Sequence, residues 1–184
     1  MISSMANVSE AYVKLADLYV RSVERANAGV QEEARSFWSG VGFTLAGLQY
    51  LAPMSEVAEI LSVPKYTQVP GVQGWVKGIA NVRGRLLPIM DLQLFFDRAA
   101  VVQSKKRRLL VLEKNDVYSG LIVDEIMGMQ HFPDADYTLD LPDHYATTAA
   151  LLEGGYRVGN DVWAVFHLHK LVDDIRFMNV ASSF

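Results

Sequence analysis

Closely spaced turns constrain this chain more than any other feature of its sequence. Ala46-Gly47, Arg83-Gly84-Arg85, Lys114-Asn115-Asp116 and Gly159-Asn160-Asp161 each separate two short apolar runs. Glycine, asparagine and aspartate suit tight reversals, so each pair of runs reads as a hairpin. The runs are Phe43–Leu45 with Tyr50–Ala52, Ile79–Val82 with Leu86–Met90, Leu109–Glu113 with Val117–Val123, and Tyr156–Val158 with Val162–Phe166. Many short strands at this spacing predict a mainly β fold of barrels or a sandwich rather than a βαβ sheet. Little helix is expected after residue 40. The exceptions are a short one at Leu168–Asp173 and one opened by Asp91, whose carboxylate can accept the free N–H groups of the next turn.

The first 38 residues read differently. Val8, Tyr12, Leu15, Leu18, Tyr19, Val23 and Ala26 recur at three- and four-residue spacing and form one helical stripe. Asn7 with Glu10 resembles a capping box, and Gly29 suits the position after a helix end. A helix over about 8–28 is expected, its stripe packing either on its own domain or on a partner. The rest divides into segments of about 41–96 and 107–172, joined by the polar stretch Asp97–Lys106. The halves echo each other weakly: Val57-Ala58-Glu59-Ile60 against Val123-Asp124-Glu125-Ile126, and Ile89-Met90-Asp91-Leu92 against Val165-Phe166-His167-Leu168.

Charge and composition exclude much. With 51% hydrophobic and 21% charged residues and a net charge of −4, the 184-residue chain has no general attraction to nucleic acid or anionic membrane. It has no cysteine, hence no disulfide or thiolate chemistry. The N-terminal residues lack the basic-then-apolar layout of a secretory signal, and no apolar run is long enough to cross a bilayer, so a cytoplasmic protein is expected. No phosphate-cradling loop, G-x-S-x-G elbow or H-E-x-x-H helix is present. The acidic run Asp134, Asp136, Asp140, Asp143 has Leu139 and Tyr145 where an EF-hand needs glycine and glutamate, and it reads as a solvated loop. His167 and His169 stand two apart, a pattern that fits a surface or helix-cap role better than a metal site. No enzyme activity, cofactor or metal is expected. Lys105-Lys106-Arg107-Arg108 is the concentrated basic run; beside Trp75, Tyr118 and Trp163 it allows a second reading as a single-strand nucleic-acid binder. The same charges also suit gatekeepers before the apolar strand that follows.

One stretch carries more charge than a turn needs: GIANVRGRLLPIMDL, residues 78–92. It resembles the signature of CheW-type coupling proteins, G-(V/I)-x-N-x-R-G-x-(hydrophobic)-x-P-(hydrophobic)-x-D-L. FTLAGLQYLAPMSEVAEI upstream and YSGLIVDEIMGM downstream resemble the family's opening pattern and its later G-hydrophobic-V-D-x-(V/I) strand, in family order. Ala52-Pro53-Met54 and Trp38-Ser39-Gly40 resemble the branch serving type IV pili and twitching motility more than flagellar CheW. The usual L-L-D before the last helix reads Val165-Phe166-His167.

The resemblance implies two packed five-stranded SH3-like barrels in a CheW-like domain over 39–184, preceded by the helical extension of residues 1–38. It implies an adaptor that bridges a chemoreceptor's cytoplasmic tip to the regulatory domain of a CheA-like histidine kinase. Such a protein has no nucleic-acid partner and meets the membrane only through the receptor. Arg83 matches the family arginine of the receptor-binding region, and Glu59 the acidic residue close to it. Val57, Ile60 and Gly84 would line the same neighbourhood. A guanidinium held by a carboxylate keeps a fixed direction and still offers donors to a partner. Gly84 permits the reversal that aims it. Arg85 reads as solvated charge.

Overall fold

Each predicted hairpin is present, built on reversals of two residues. A computed structural model describes residues 36–98 and 104–182; the N-terminal helix expected over 8–28 lies outside the described residues. All described strands and helices belong to one unit beginning at Phe37. β1 (Phe37–Leu45) and β2 (Leu48–Pro53) join through Ala46-Gly47, and β4 (Val76–Val82) and β5 (Arg85–Asp91) through Arg83-Gly84. β6 (Arg108–Lys114) joins β7 (Val117–Val123), and β10 (Leu152–Val158) joins β11 (Asp161–Phe166). β3 (Glu59–Ser62), β8 (Glu125–Pro133) and the two-residue β9 (Tyr137–Thr138) complete the strands. Helices are short: α1 (Leu92–Phe95), α2 (Leu168–Asp173, as expected) and α3 (Ile175–Met178). The stretch around the acidic run is more ordered than a solvated loop. It forms 3-10 turns at Asp134–Asp136 and Asp143–Leu151, and in the second Tyr145 and Thr148 are buried.

The hairpins assemble into two curled sheets, ordered β8-β1-β2-β11-β10-β9 and β3-β6-β7-β5-β4. The expected five-stranded pair is present, the first sheet gaining the short β9 as a sixth strand. The sheets do not follow the contiguous division at residues 41–96 and 107–172. The first hairpin, β1–β2, sits with the C-terminal strands, while β6–β7 sits with β3, β4 and β5. Each half of the chain therefore lends its first hairpin to the other half's sheet. The weak echoes fall at equivalent places. One leads from β2 into β3 and from β7 into β8; the other ends β5 and β11, the strands that pair in parallel with β7 and β2.

The central strands bury side chains on both faces. Along β6, Leu109 and Val111 face a core shared with Ala80, Leu87, Ile89 and Ile122, whereas Leu110 and Leu112 face Phe43, Tyr50 and Leu121. Successive side chains of a strand point to opposite faces, so one set fills the second curl and the other lies between the sheets. The first curl has its own core of Leu51, Phe132, Tyr156 and Val165. Between the sheets, the Tyr145 hydroxyl lies 2.7 Å from the carbonyls of both Gln49 and Val162, tying β2 to β11. Burial pushes its phenol up to about 12.

Candidate functional site

The signature segment is spent, position by position, on shaping one hairpin. Gly78 sits at φ 143°, and any Cβ there would overlap the Thr67 carbonyl. That contact closes the second curl. Thr67 and Ile79 exchange backbone hydrogen bonds of 2.9 Å, bringing the chain after β3 onto β4's outer edge. The Asn81 side-chain carbonyl accepts the Gly84 N–H at 2.9 Å and pins the turn. Asp91 caps α1 through the N–H groups of Gln93 and Leu94, as its place after the apolar run suggested. Both of its oxygens also accept from Arg107 Nη2, at 2.9 and 2.8 Å, with only 2% of the Asp91 side chain and 13% of the Arg107 side chain exposed.

Arg83 is the exception, because its head group stands in solvent. The turn is Arg83-Gly84, and both residues adopt the left-handed conformation, at φ 51° and 83°. Glycine does so freely, whereas a non-glycine residue pays on the order of 1 kcal/mol. A two-residue turn of this hand matches the twist of the flanking strands. Arg83 thus occupies a slot that asparagine or glycine would fill at lower cost, and such strain gathers at functional positions. Its guanidinium reaches across the rim of the curl to the Glu59 carboxylate, linking the β4–β5 tip to the strand at the sheet's far edge. The Arg83 side chain remains 76% exposed and that of Glu59 25%, so the pair fixes direction more than it stabilises.

The other expected residues are divided around this pair. Gly84 forms the turn, with open space around it. Val57 packs against the core between the sheets, and the adjacent Ala58 N–H bonds the Val111 carbonyl at 2.8 Å. Ile60 lies on the face of β3 opposite Glu59 and is 40% exposed. Leu86, which follows Arg85 in β5, is 69% exposed. Arg85 is not merely solvated. It grips Glu113 at 2.8 and 3.4 Å and lies 3.8 Å over the Tyr118 ring. The Glu113 carboxyl is held below its ordinary range, first by the hydrogen bond from Arg85, and the Arg85 guanidinium is correspondingly raised. Two arginine–glutamate pairs therefore line this rim and cancel.

Sequence reasoning missed Glu56. With His167 standing where the family carries aspartate, α2 has no side-chain cap of its own. Glu56, in the 3-10 turn after β2, supplies the carboxylate: it accepts the His169 N–H at 3.0 Å and meets His167 Nδ1 at 2.6 Å. Only the missing aspartate hinted at it. The basic run is similarly redistributed. Lys106 pairs with Glu125 at 3.3 Å, Arg107 is buried on Asp91, and Arg108 bonds the carbonyls of Lys105 and Arg107.

Curled paired sheets carrying this turn define a class, and residues 39–176 match the CheW-like domain family. The chain belongs to that family. It is 45% identical over 179 residues to Protein PilI of Pseudomonas aeruginosa, covering 96% of this chain and 99% of that protein. It is 32% identical over 113 residues to the chemotaxis protein CheW of Helicobacter pylori, covering 61% of this chain and 68% of that protein. In fold it resembles the crystal structure of the scaffolding protein TtCheW from Thermoanaerobacter tengcongensis. There the TM-score is 0.66 at 24% identity, over 77% of this chain and 96% of the other. The resemblance to the type IV pilus branch agrees with the PilI match. No helix among the described residues is long and apolar enough to cross a membrane.

Proposed function

We propose that the protein is a non-enzymatic cytoplasmic adaptor coupling a methyl-accepting type of chemoreceptor to a CheA-like histidine kinase, in the system that controls twitching motility through type IV pili. Arg83 carries the reading: an exposed guanidinium on a left-handed turn, aimed by Glu59, with donors left for a partner. The receptor tip docks at this rim. Exposed apolar residues on edge strands, Ile60 of β3 and Met127 and Met129 of β8, suit the kinase's regulatory domain. Such contacts are modest and gain strength from repetition in an array. Similarity to PilI over nearly both whole chains supports the pilus branch over flagellar CheW. The nucleic-acid alternative loses its footing because Arg107 is buried on Asp91 and its neighbours are engaged within the chain.

Arg83→Ala should leave the unfolding midpoint near wild type and weaken capture of the receptor's cytoplasmic tip by about tenfold, the loss expected of an interface anchor. Equal capture by the variant and the wild type would remove Arg83 from the assignment.

A further inference from the structure

The rim of the first sheet is built on another plan. A cleft of about 510 Å³ opens there, lined by Trp38, Asp134, Tyr137, Glu153, Tyr156 and His167 among others. That volume lies within the range of small-ligand sites, about 300–1,000 Å³. The Trp38 ring stacks on Tyr156 at 5.1 Å between centroids, and Tyr137 meets Tyr156 edge-on at 5.4 Å.

Two glycines make room for these rings. A Cβ on Gly40 would overlap the Trp38 indole and stand 2.6 Å from the Ala52 carbonyl. One on Gly154, at φ 107°, would stand 2.5 Å from the Tyr137 hydroxyl oxygen. The Tyr137 hydroxyl in turn donates to the Glu153 carbonyl, fixing β9 against β10.

The charges of the cleft are not balanced. Glu153 meets His167 Nε2, and Glu56 meets the same ring at Nδ1. Among the described residues Asp134 takes part in no ion pair. The two carboxylates that line the cleft, Asp134 and Glu153, thus face one imidazole among the described residues, which Glu56 holds from its other side. Arg157 reaches the Thr138 hydroxyl at 3.3 Å and Lys170 the Leu152 carbonyl at 3.1 Å, and among the described residues neither pairs with Asp134 or Glu153. Burial first, and then the charge of Asp134, raises the Tyr156 phenol.

We propose that this aromatic, acidic cleft is a second docking site, which receives an arginine side chain carried by an extended segment of a partner protein. Aromatic faces carry negative quadrupoles that attract cations, and a guanidinium can stack on a ring while its fork engages a carboxylate. Lysine has neither the plane nor the fork. The occupant is an extended segment because the cleft abuts β9, the edge strand of the first sheet, along whose outer side no strand pairs among the described residues. The site is independent of Arg83 and of the receptor reading.

The test uses the full chain and three probes: acetyl-Gly-Arg-Gly-amide, its lysine counterpart and its uncharged citrulline counterpart. The readout is the Trp38 indole N–H resonance, identified by its loss in Trp38→Phe and compared with the Trp75 and Trp163 signals. The arginine peptide should move Trp38 alone, with a millimolar dissociation constant. The Asp134→Asn/Glu153→Gln variant should weaken it by about fivefold or more, and Arg83→Ala should leave it unchanged. The lysine peptide should bind more weakly and the citrulline peptide not at all; these two arms stand on the wild-type protein alone should the double variant misfold. No Trp38 shift with the arginine peptide, an equal shift with citrulline or lysine, or an unaffected folded double variant would overturn the proposal. So would a Trp38 signal that moves with protein concentration alone, which would make the occupant a second copy of this chain.

Discussion

The Arg83 rim of the second sheet lies at the β4–β5 turn and the cleft of the first sheet at the starts of β1 and β10, and the two are opposites in chemistry. At the second sheet, Arg83–Glu59 and Arg85–Glu113 pair arginine with glutamate twice, and Tyr118 lies under a guanidinium. That rim is neutral and supplies its own cations. At the first sheet the rings of Trp38, Tyr137 and Tyr156 stand beside Asp134 and Glu153, and among the described residues no arginine or lysine pairs with either carboxylate. In both places aromatic and acidic side chains stand together. The difference is whether the guanidinium comes from within the chain or must come from outside. A rim that satisfies itself can offer a partner only what protrudes, which here is Arg83. A rim lacking its cation offers a receptacle.

Three experiments probe that contrast, from the largest effect to the smallest. Gly40→Ala forces a methyl group into the Trp38 ring and the Ala52 carbonyl, so overpacking should cost about 3 kcal/mol in urea unfolding. It should also displace the Trp38 indole resonance while leaving receptor capture by the folded fraction intact. An unchanged midpoint would mean that the ring is not held by the missing side chain. Gly84→Ala meets no atom within 4 Å, so its cost is backbone strain alone, about 1 kcal/mol at φ 83°. This variant should misdirect Arg83 and weaken capture, with the Trp38 signal unmoved.

The smallest effect belongs to the ion pair. Glu59→Arg should lose receptor capture, and adding Arg83→Glu should restore part of it. The coupling in a double-mutant cycle should be at most about 1 kcal/mol, because Arg83 is largely solvated. Zero coupling would leave Arg83 acting without its holder.

Local features were legible in the sequence because their causes are local. Asn81 lies three residues before the Gly84 N–H it accepts, and Asp91 two and three residues before the N–H groups it caps. Turn chemistry and capping depend on such spacings, so the hairpins and the α1 cap could be read directly. Arg85 could not, since its partners Glu113 and Tyr118 lie on other strands and its solvated appearance was a property of the sequence alone. Glu56 is farther still from what it serves, more than a hundred residues before His169. No local pattern announces a cap supplied from across the fold.

By itself, then, the sequence determined the hairpins, the strained arginine turn and the family to which they belong. Tertiary structure alone decided which hairpin entered which sheet, exchanging β1–β2 and β6–β7 between the halves. It likewise decided how each charge was used: Arg107 buried on Asp91, Arg85 closed onto Glu113, and Arg83 left facing solvent. The physical reason is range. Backbone reversals are settled by the few residues that make them, whereas the pairing of charges and sheet edges depends on which distant side chains the closed curls bring within a few ångströms.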